Sequence, residues 1–151
     1  MTKVLMVCLG NICRSPLAEG ILLSKINADE IFVDSAGTGA YHIGKLPDER
    51  SIEVARKHGI DIRNQRARKF TVKDFDTFDY IYAMDETNYQ NILMQARTND
   101  DKSKVQLILN ETHSTKNLAV PDPYYGGNQG FENVYIMFEE ACKVIANKLS
   151  K

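Results

Sequence analysis

The segment Lys3–Leu9, K-V-L-M-V-C-L, is an unbroken apolar run from Val4 onward that stops at Gly10-Asn11 and gives way to a helical pattern from Ser15. A short run with no polar alternation is what a strand buried on both faces requires. A sheet of such strands must be covered on both sides, so helices have to lie between the strands. The rest of the chain supplies that alternation. Ile31–Asp34 reads as a second strand, Asp79–Met84 as a third and Val105–Leu109 as a fourth. Between them, Ser15 is the expected cap and Pro16 the first residue of a helix carrying Leu17, Ile21 and Leu22. Pro47–His58 reads as a second helix stopped by Gly59, and Glu86–Arg97 as a third. A loop is expected from about Asn110 to Gln129, followed by a last helix, Phe131–Leu149, with Val134, Phe138, Ala141, Ile145 and Leu149 on one stripe. The expected architecture is a single α/β domain over residues 1–151, a four-stranded parallel sheet flanked by helices on both faces. Sheets of this kind bind ligands beyond the carboxyl ends of their strands.

Composition narrows the function. Nineteen Lys+Arg against twenty Asp+Glu give a formal net charge of -1, which lacks the basic footprint of a nucleic-acid binder. The longest apolar run, Val4–Leu9, is far shorter than the roughly twenty residues of a bilayer span. No membrane segment and no secretory signal peptide is expected. Three cysteines, Cys8, Cys13 and Cys142, are too few and of the wrong parity for a disulfide framework, so a reducing cytoplasm is the expected compartment. No His/Cys/carboxylate spacing suggests a metal site.

The chemistry concentrates in the loop after the first strand, Cys8-Leu9-Gly10-Asn11-Ile12-Cys13-Arg14-Ser15. Gly10 and Asn11 tolerate conformations that turn backbone N–H groups inward as an anion nest. The helix that follows adds the free N–H groups of its first turn. Arg14 supplies a planar fork that matches two phosphate oxygens. Cys8 at the mouth of such a cradle would have its thiolate stabilised beside a bound phosphoryl group. The bare C-x5-R spacing is a weak signal, and a buried strand-end cysteine is the ordinary alternative; the strand before the loop and the helix after it supply the context.

The octapeptide C-L-G-N-I-C-R-S closely resembles the signature loop of the low-molecular-weight protein tyrosine phosphatases. D-S-A-G-T (Asp34–Thr38), A-M-D-E (Ala83–Glu86) and P-D-P-Y-Y (Pro121–Tyr125) follow in order at family-like intervals, so the resemblance covers nearly the whole chain. It implies a phosphocysteine intermediate on Cys8, with Arg14 binding phosphate and the transition state and Ser15 hydrogen-bonding the sulfur. Leu9, Gly10, Asn11, Ile12 and Cys13 would line the phosphate. Asn11 would hold the loop in shape, with Ser35 as a hydrogen-bond partner. Asp122 would be the general acid and then the base, presented between Pro121 and Pro123 on a stiffened loop. Tyr41, Tyr124 and Tyr125 match aromatic positions around the family's pocket mouth; surface or core tyrosines are the plainer alternative. Asp85, at the end of the third strand, is placed either to orient Arg14 or to serve as an ordinary strand-end turn residue. Cys13 is implied as a reversible disulfide partner of Cys8. The implied partner is a phosphotyrosine-containing protein, with a cognate tyrosine kinase opposing the reaction, and no cofactor or metal is implied.

One departure stands out. Gln65 precedes Arg66-Ala67-Arg68 where the family often has a histidine that helps brace the loop asparagine, which puts that bracing in doubt. His42, His58 and His113 have no expected site role, and Cys142 reads as core. Three rivals share the loop or its anion-binding function. A thioredoxin-coupled arsenate reductase needs a relay of further cysteines, and Tyr82–Tyr89 holds none. A protein-arginine phosphatase typically carries threonine where this chain has Ile12. A silent phosphate-binding module would need neither the thiol of Cys8 nor the acid of Asp122.

Overall fold

Strand β1 spans Thr2–Cys8, and its side chains from Val4 to Val7 are wholly buried. The computed structural model describes residues 1–150, with the side chains of residues 125–128 outside that description. β1 pairs in parallel with β2 (Ile31–Gly37) on one side and with β3 (Tyr80–Ala83) on the other. β4 (Val105–Leu107) pairs with the far side of β3, giving the order β2-β1-β3-β4. The pleat sends alternate residues of β1 to opposite faces. Val4, Met6 and Cys8 join a core with Leu17, Ile21 and Leu22 of α1 (Arg14–Leu23) and Val134, Phe138 and Ile145 of α6 (Gly127–Leu149). Leu5 and Val7 join a second core with Phe70, Phe75, Phe78 and Ile92. Both faces are therefore covered, by α1, α2 (Glu49–Lys57) and α6 on one side and by α3 (Asp74–Thr77) and α4 (Glu86–Leu93) on the other.

The chain leaves β1 for a neighbour on one side and returns to a neighbour on the other. The strand order thus reverses at the carboxyl ends of β1 and β3, which is where an open sheet of this kind leaves its crevice. The loop after β1 opens into it.

Several boundaries differ from the sequence expectation for identifiable reasons. β2 runs on through Ser35-Ala36-Gly37, paired with Met6-Val7-Cys8; the polar Ser35 hides this extension because its hydroxyl is buried against other polar side chains. Ser15 is not a cap: α1 already begins at Arg14, and the Ser15 hydroxyl points at Cys8. Asp48, not Pro47, starts α2, its carboxylate accepting from Arg50 N. The expected third helix breaks after Leu93, and α5 (Asn99–Ser103) restarts under its own Thr98 cap. α3 was not expected, being a single turn. The fourth strand ends at Leu107 and continues as a 3-10 turn, Ile108–Glu111. The expected loop before the last helix holds a second 3-10 turn, Pro123–Gly126, and α6 starts at Gly127 rather than Phe131. None of the helices among the described residues is long and apolar enough to cross a membrane.

Candidate active site

Four carbonyls of the loop between β1 and α1 are bonded to groups outside it. Cys8 O accepts from Thr38 N, Leu9 O from Gly39 N, Ile12 O from Asp48 N and Cys13 O from the Ser51 hydroxyl. Among the described residues nothing accepts from the N–H groups of Gly10, Asn11, Ile12 or Cys13. A row of carbonyls bonded outside and N–H groups left inside is an anion cradle. The turn depends on Asn11, which adopts φ 57, a left-handed value that asparagine tolerates better than most residues. It also depends on Gly37 at the end of β2, where a Cβ would stand 2.7 Å from Leu9 O and 3.1 Å from Asn11 N. Only glycine lets the strand approach the loop this closely.

Buried side chains fix the loop from behind. Asn11 Oδ1 accepts from Arg68 N at 3.0 Å, which settles which end of the amide is the donor. Asn11 Nδ2 then donates to Ser15 Oγ at 2.8 Å and to Ser35 Oγ at 2.9 Å. Ser35 Oγ in turn donates to Glu19 Oε1 at 2.6 Å. Ser15, already an acceptor from Asn11, has its hydroxyl 3.0 Å from Cys8 Sγ and 3.5 Å from Ala36 O, so the sulfur is the nearer of two acceptors for its proton. Burial pushes the Glu19 carboxyl up to about 7, against the hydrogen bond from Ser35 and the charge of Arg68, with Asp34 adding to the rise. Burial likewise pushes the Cys13 thiol up to about 12.

Arg14 is buried and held through one nitrogen. Its Nη1 donates to Asp85 Oδ2 at 2.8 Å and to Val120 O at 3.0 Å. Among the described residues its Nε and Nη2 have no partner, leaving the bidentate edge of the fork open. Asp85 also caps α4, accepting from Asn88 N, so one carboxylate contacts both Arg14 and the turn at the strand end. Val120 N donates to Met84 O, which lays the segment leading to Asp122 alongside the end of β3.

These parts enclose one pocket of about 140 Å³, lined by Cys8, Leu9, Gly10, Ile12, Cys13, Arg14, Tyr41, His42, Asp122 and Tyr124. That is close to the volume of an apolar cavity that accepts a benzene ring. Tyr41 and Tyr124 are exposed at its mouth. The fold therefore brings together Cys8 and Asp122, far apart in sequence, with Arg14 between them in contact with both strand end and acid loop. Asn11, Ser15 and Ser35 stand behind the pocket rather than in it, and the side chain of Tyr125 lies outside the described residues. Among the described residues no three His, Cys, Asp or Glu side chains are gathered as metal ligands.

Four residues escaped the sequence reading. His42, expected to have no site role, lines the pocket and packs over Gly10; its position directly after Tyr41 was the available signal. Glu19 ends the hydrogen-bond chain behind Cys8. Asp48 and Arg50 touch Tyr124 from α2. The doubt over Gln65 resolves in favour of an intact brace: Asn11 is fully partnered without it, and Gln65 instead donates to Pro16 O. Cys142 is buried in α6 against Ala18 O, as expected of a core residue.

A family model described as low molecular weight phosphotyrosine protein phosphatase matches residues 3–151. A relative in Schizosaccharomyces pombe named low molecular weight phosphotyrosine protein phosphatase is 43% identical, over 90% of this chain and 91% of its own. A protein tyrosine phosphatase from Entamoeba histolytica, solved with Hepes in the active site, superposes with a TM-score of 0.92 at 38% identity, covering 99% of this chain and 97% of that one. Vibrio vulnificus Wzb, solved with benzylphosphonate, superposes with a TM-score of 0.85 at 30% identity over 97% of this chain and 98% of its own.

Proposed function

Because the chain belongs to the low molecular weight phosphotyrosine protein phosphatases, we propose that this pocket hydrolyses phosphotyrosine in protein substrates in two steps through Cys8. The observation that carries the assignment is the cradle of unpartnered N–H groups with the Cys8 sulfur held at its edge by Ser15 and the open fork of Arg14 beside it.

In the first step the Cys8 thiolate attacks phosphorus and the bond to the phenolic oxygen breaks. The loop N–H groups and the Nε/Nη2 edge of Arg14 take the three non-bridging oxygens, whose charge grows in the transition state. Asp122, as the carboxylic acid, gives its proton to the departing phenolate. In the second step the Asp122 carboxylate takes a proton from water, the water oxygen attacks phosphorus, and Cys8 leaves as a thiolate. The Ser15 hydroxyl favours that thiolate both as nucleophile and as leaving group. Asp85 and Val120 O hold Arg14 in register through its third nitrogen, so the fork needs little reorganisation. Benzylphosphonate at Vibrio vulnificus Wzb is a phenyl ring joined to a phosphonate through one methylene, and the ring-sized pocket with Tyr41 and Tyr124 at its mouth suits the same shape here.

The same reading extends to regulation and place. Peroxide would oxidise the Cys8 thiolate to a sulfenic acid with loss of hydroxide, and the Cys13 thiol would displace water from it to form a disulfide. A dithiol would then restore the native enzyme, and Cys13→Ser should make the inactivation largely irreversible. Three unpaired cysteines favour a reducing cytoplasm. There a tyrosine kinase would supply the substrate.

The test is capture of the intermediate. Acid-quenching the enzyme during turnover of a phosphotyrosine peptide should leave phosphate on the peptide that contains Cys8. Cys8→Ser should abolish turnover while still binding phosphate analogues. Near-normal activity in Cys8→Ser would refute the role.

A further inference from the structure

We propose that Asp48 and Arg50, at the start of α2, are positioning residues for the general acid: they clasp Tyr124 and through it aim Asp122 into the pocket. The proposal rests on the reading of Asp122 as the acid.

Asp122 has little to hold it. It is exposed, and among the described residues its carboxylate has one hydrogen bond, from Tyr124 N at 3.0 Å. Its direction is therefore set by where Tyr124 sits. Tyr124 in turn is gripped by its side chain. Its hydroxyl donates to Asp48 Oδ2 at 2.8 Å. The guanidinium of Arg50 lies 4.5 Å from the centre of its ring and 4.8 Å from that of Phe131, so one cation bridges two aromatic faces. Phe131 meets Tyr124 edge-on, with centroids 6.3 Å apart.

Asp48 carries this grip to the nucleophile. Its backbone N–H donates to Ile12 O at 2.7 Å, inside the phosphate loop. Its Oδ1 accepts from Arg50 N at 2.8 Å and from Arg50 Nε at 3.3 Å, leaving Oδ2 for Tyr124. A single residue thus contacts the loop that holds the thiolate, the helix that follows, and the side chain that directs the acid. Burial alone would raise the Asp48 carboxyl, but the Arg50 N–H, the Tyr124 hydroxyl and the Arg50 side chain outweigh it and hold the group below its ordinary range. It is an ionised acceptor throughout the neutral range, with Arg50 as its charged neighbour.

The rest of the acid loop is fixed by its base only. Val120 is tied to Met84 and Arg14, and the carbonyl of Pro123 sits so close to Gly130 of α6 that a Cβ there would stand 2.7 Å away. Neither contact reaches the Asp122 carboxyl or the Tyr124 ring. Proton transfer is sensitive to placement, and a shift of about 1 Å can cost a hundredfold.

The test compares two substrates on three variants, alongside Asp122→Ala. Tyr124→Phe keeps the ring under Arg50 and removes only the hydroxyl. Asp48→Asn keeps a competent helix cap. Each should lower kcat/KM for a phosphotyrosine peptide about five- to twentyfold; this and every other loss in the comparison is read in kcat/KM, which ends at departure of the phenol and so leaves out the second use of Asp122. On 2,4-dinitrophenyl phosphate, whose leaving group needs no proton, each should change kcat/KM less than about twofold. The double variant should lose no more than the larger single loss, because Asp48 acts on Tyr124 through that hydroxyl. Equal losses on both substrates, additive losses, or no loss on phosphotyrosine would overturn the clasp. If Asp122→Ala shows the substrate split and Tyr124→Phe does not, the clasp fails alone. If Asp122→Ala loses both substrates equally, the acid assignment fails and takes the clasp with it.

Discussion

The two loops that meet in the pocket are built in opposite ways. The phosphate loop has Cys8, Asn11, Cys13 and Arg14 buried, four of its carbonyls bonded outside it, and Asn11 locked by Ser15, Ser35 and Arg68 N. The acid loop is exposed at Asp122, stiffened by prolines on either side, and steadied at its tip by one tyrosine. Charge that develops on phosphorus is met by a rigid cradle that costs little to organise. The proton, by contrast, comes from a group presented by long-range contacts. Damage to the first loop should therefore impair every substrate, whereas damage to the second should be felt, in kcat/KM, in proportion to how poor the leaving group is.

The sharpest way to break that contrast is at Arg14. Arg14→Lys keeps the charge but loses the fork, together with the geometry that contacts both Asp85 and Val120. It should lower kcat by roughly a hundred- to a thousandfold, and equally for phosphotyrosine and 2,4-dinitrophenyl phosphate. A loss confined to phosphotyrosine would mean that Arg14 acts mainly by holding the acid loop.

Asn11 comes next. Asn11→Ala strands Ser15, Ser35 and Arg68 N and places alanine at φ 57. An unpartnered buried polar group costs about 1–3 kcal/mol, and alanine in left-handed geometry about 1–2 more. Urea denaturation should show Asn11→Ala destabilised, and Asn11→Gly less so by about the strain alone. Equal stability of the two variants would show that the backbone at this position is unstrained.

Glu19 gives a smaller, pH-dependent signature. Its carboxyl is raised from 4.5 to about 7, chiefly by burial, so the folded state binds the proton more tightly than the unfolded chain does. Its stabilising contribution is fully present below about pH 4.5 and is lost as pH rises through 7. The full swing is about 3 kcal/mol. Glu19→Gln should flatten the stability profile across that window and be more stable than the parent at pH 8. A parallel profile in the variant would mean that Glu19 stays ionised behind the loop.

How much of this was legible in sequence follows the same division. The phosphate loop could be read because its determinants lie within Cys8–Ser15 and because the strand before it is a plain apolar run. Asp122 could be singled out only through the family resemblance of P-D-P-Y-Y, since that stretch by itself is an ordinary turn. Asp48 and Arg50 could not, since their partner Tyr124 is about 75 residues away and a capping aspartate is explained fully by its own helix. Glu19 reads as one more polar residue of an amphipathic helix until Ser35 is seen against it. Ser15 was misread as a cap because Ser-Pro signals a helix start so strongly that the hydroxyl's other use was hidden. The length of β2 was missed because Ser35-Ala36-Gly37 lacks apolar bulk, yet that smallness is what lets the strand end pack against the phosphate loop.

The central claim is that this pocket selects an aryl phosphate, and a turnover panel tests it most directly. Phosphotyrosine, phosphoserine and phosphoarginine peptides, plus arsenate, would be offered to the unmodified chain and to Ile12→Thr. Ile12 lines the pocket and offers no acceptor to a guanidinium. The unmodified chain should turn over phosphotyrosine far faster than the other three. Ile12→Thr should raise phosphoarginine relative to phosphotyrosine by a shift of about 1–3 kcal/mol. Phosphoarginine or arsenate consumed by the unmodified chain as fast as phosphotyrosine would contradict the account.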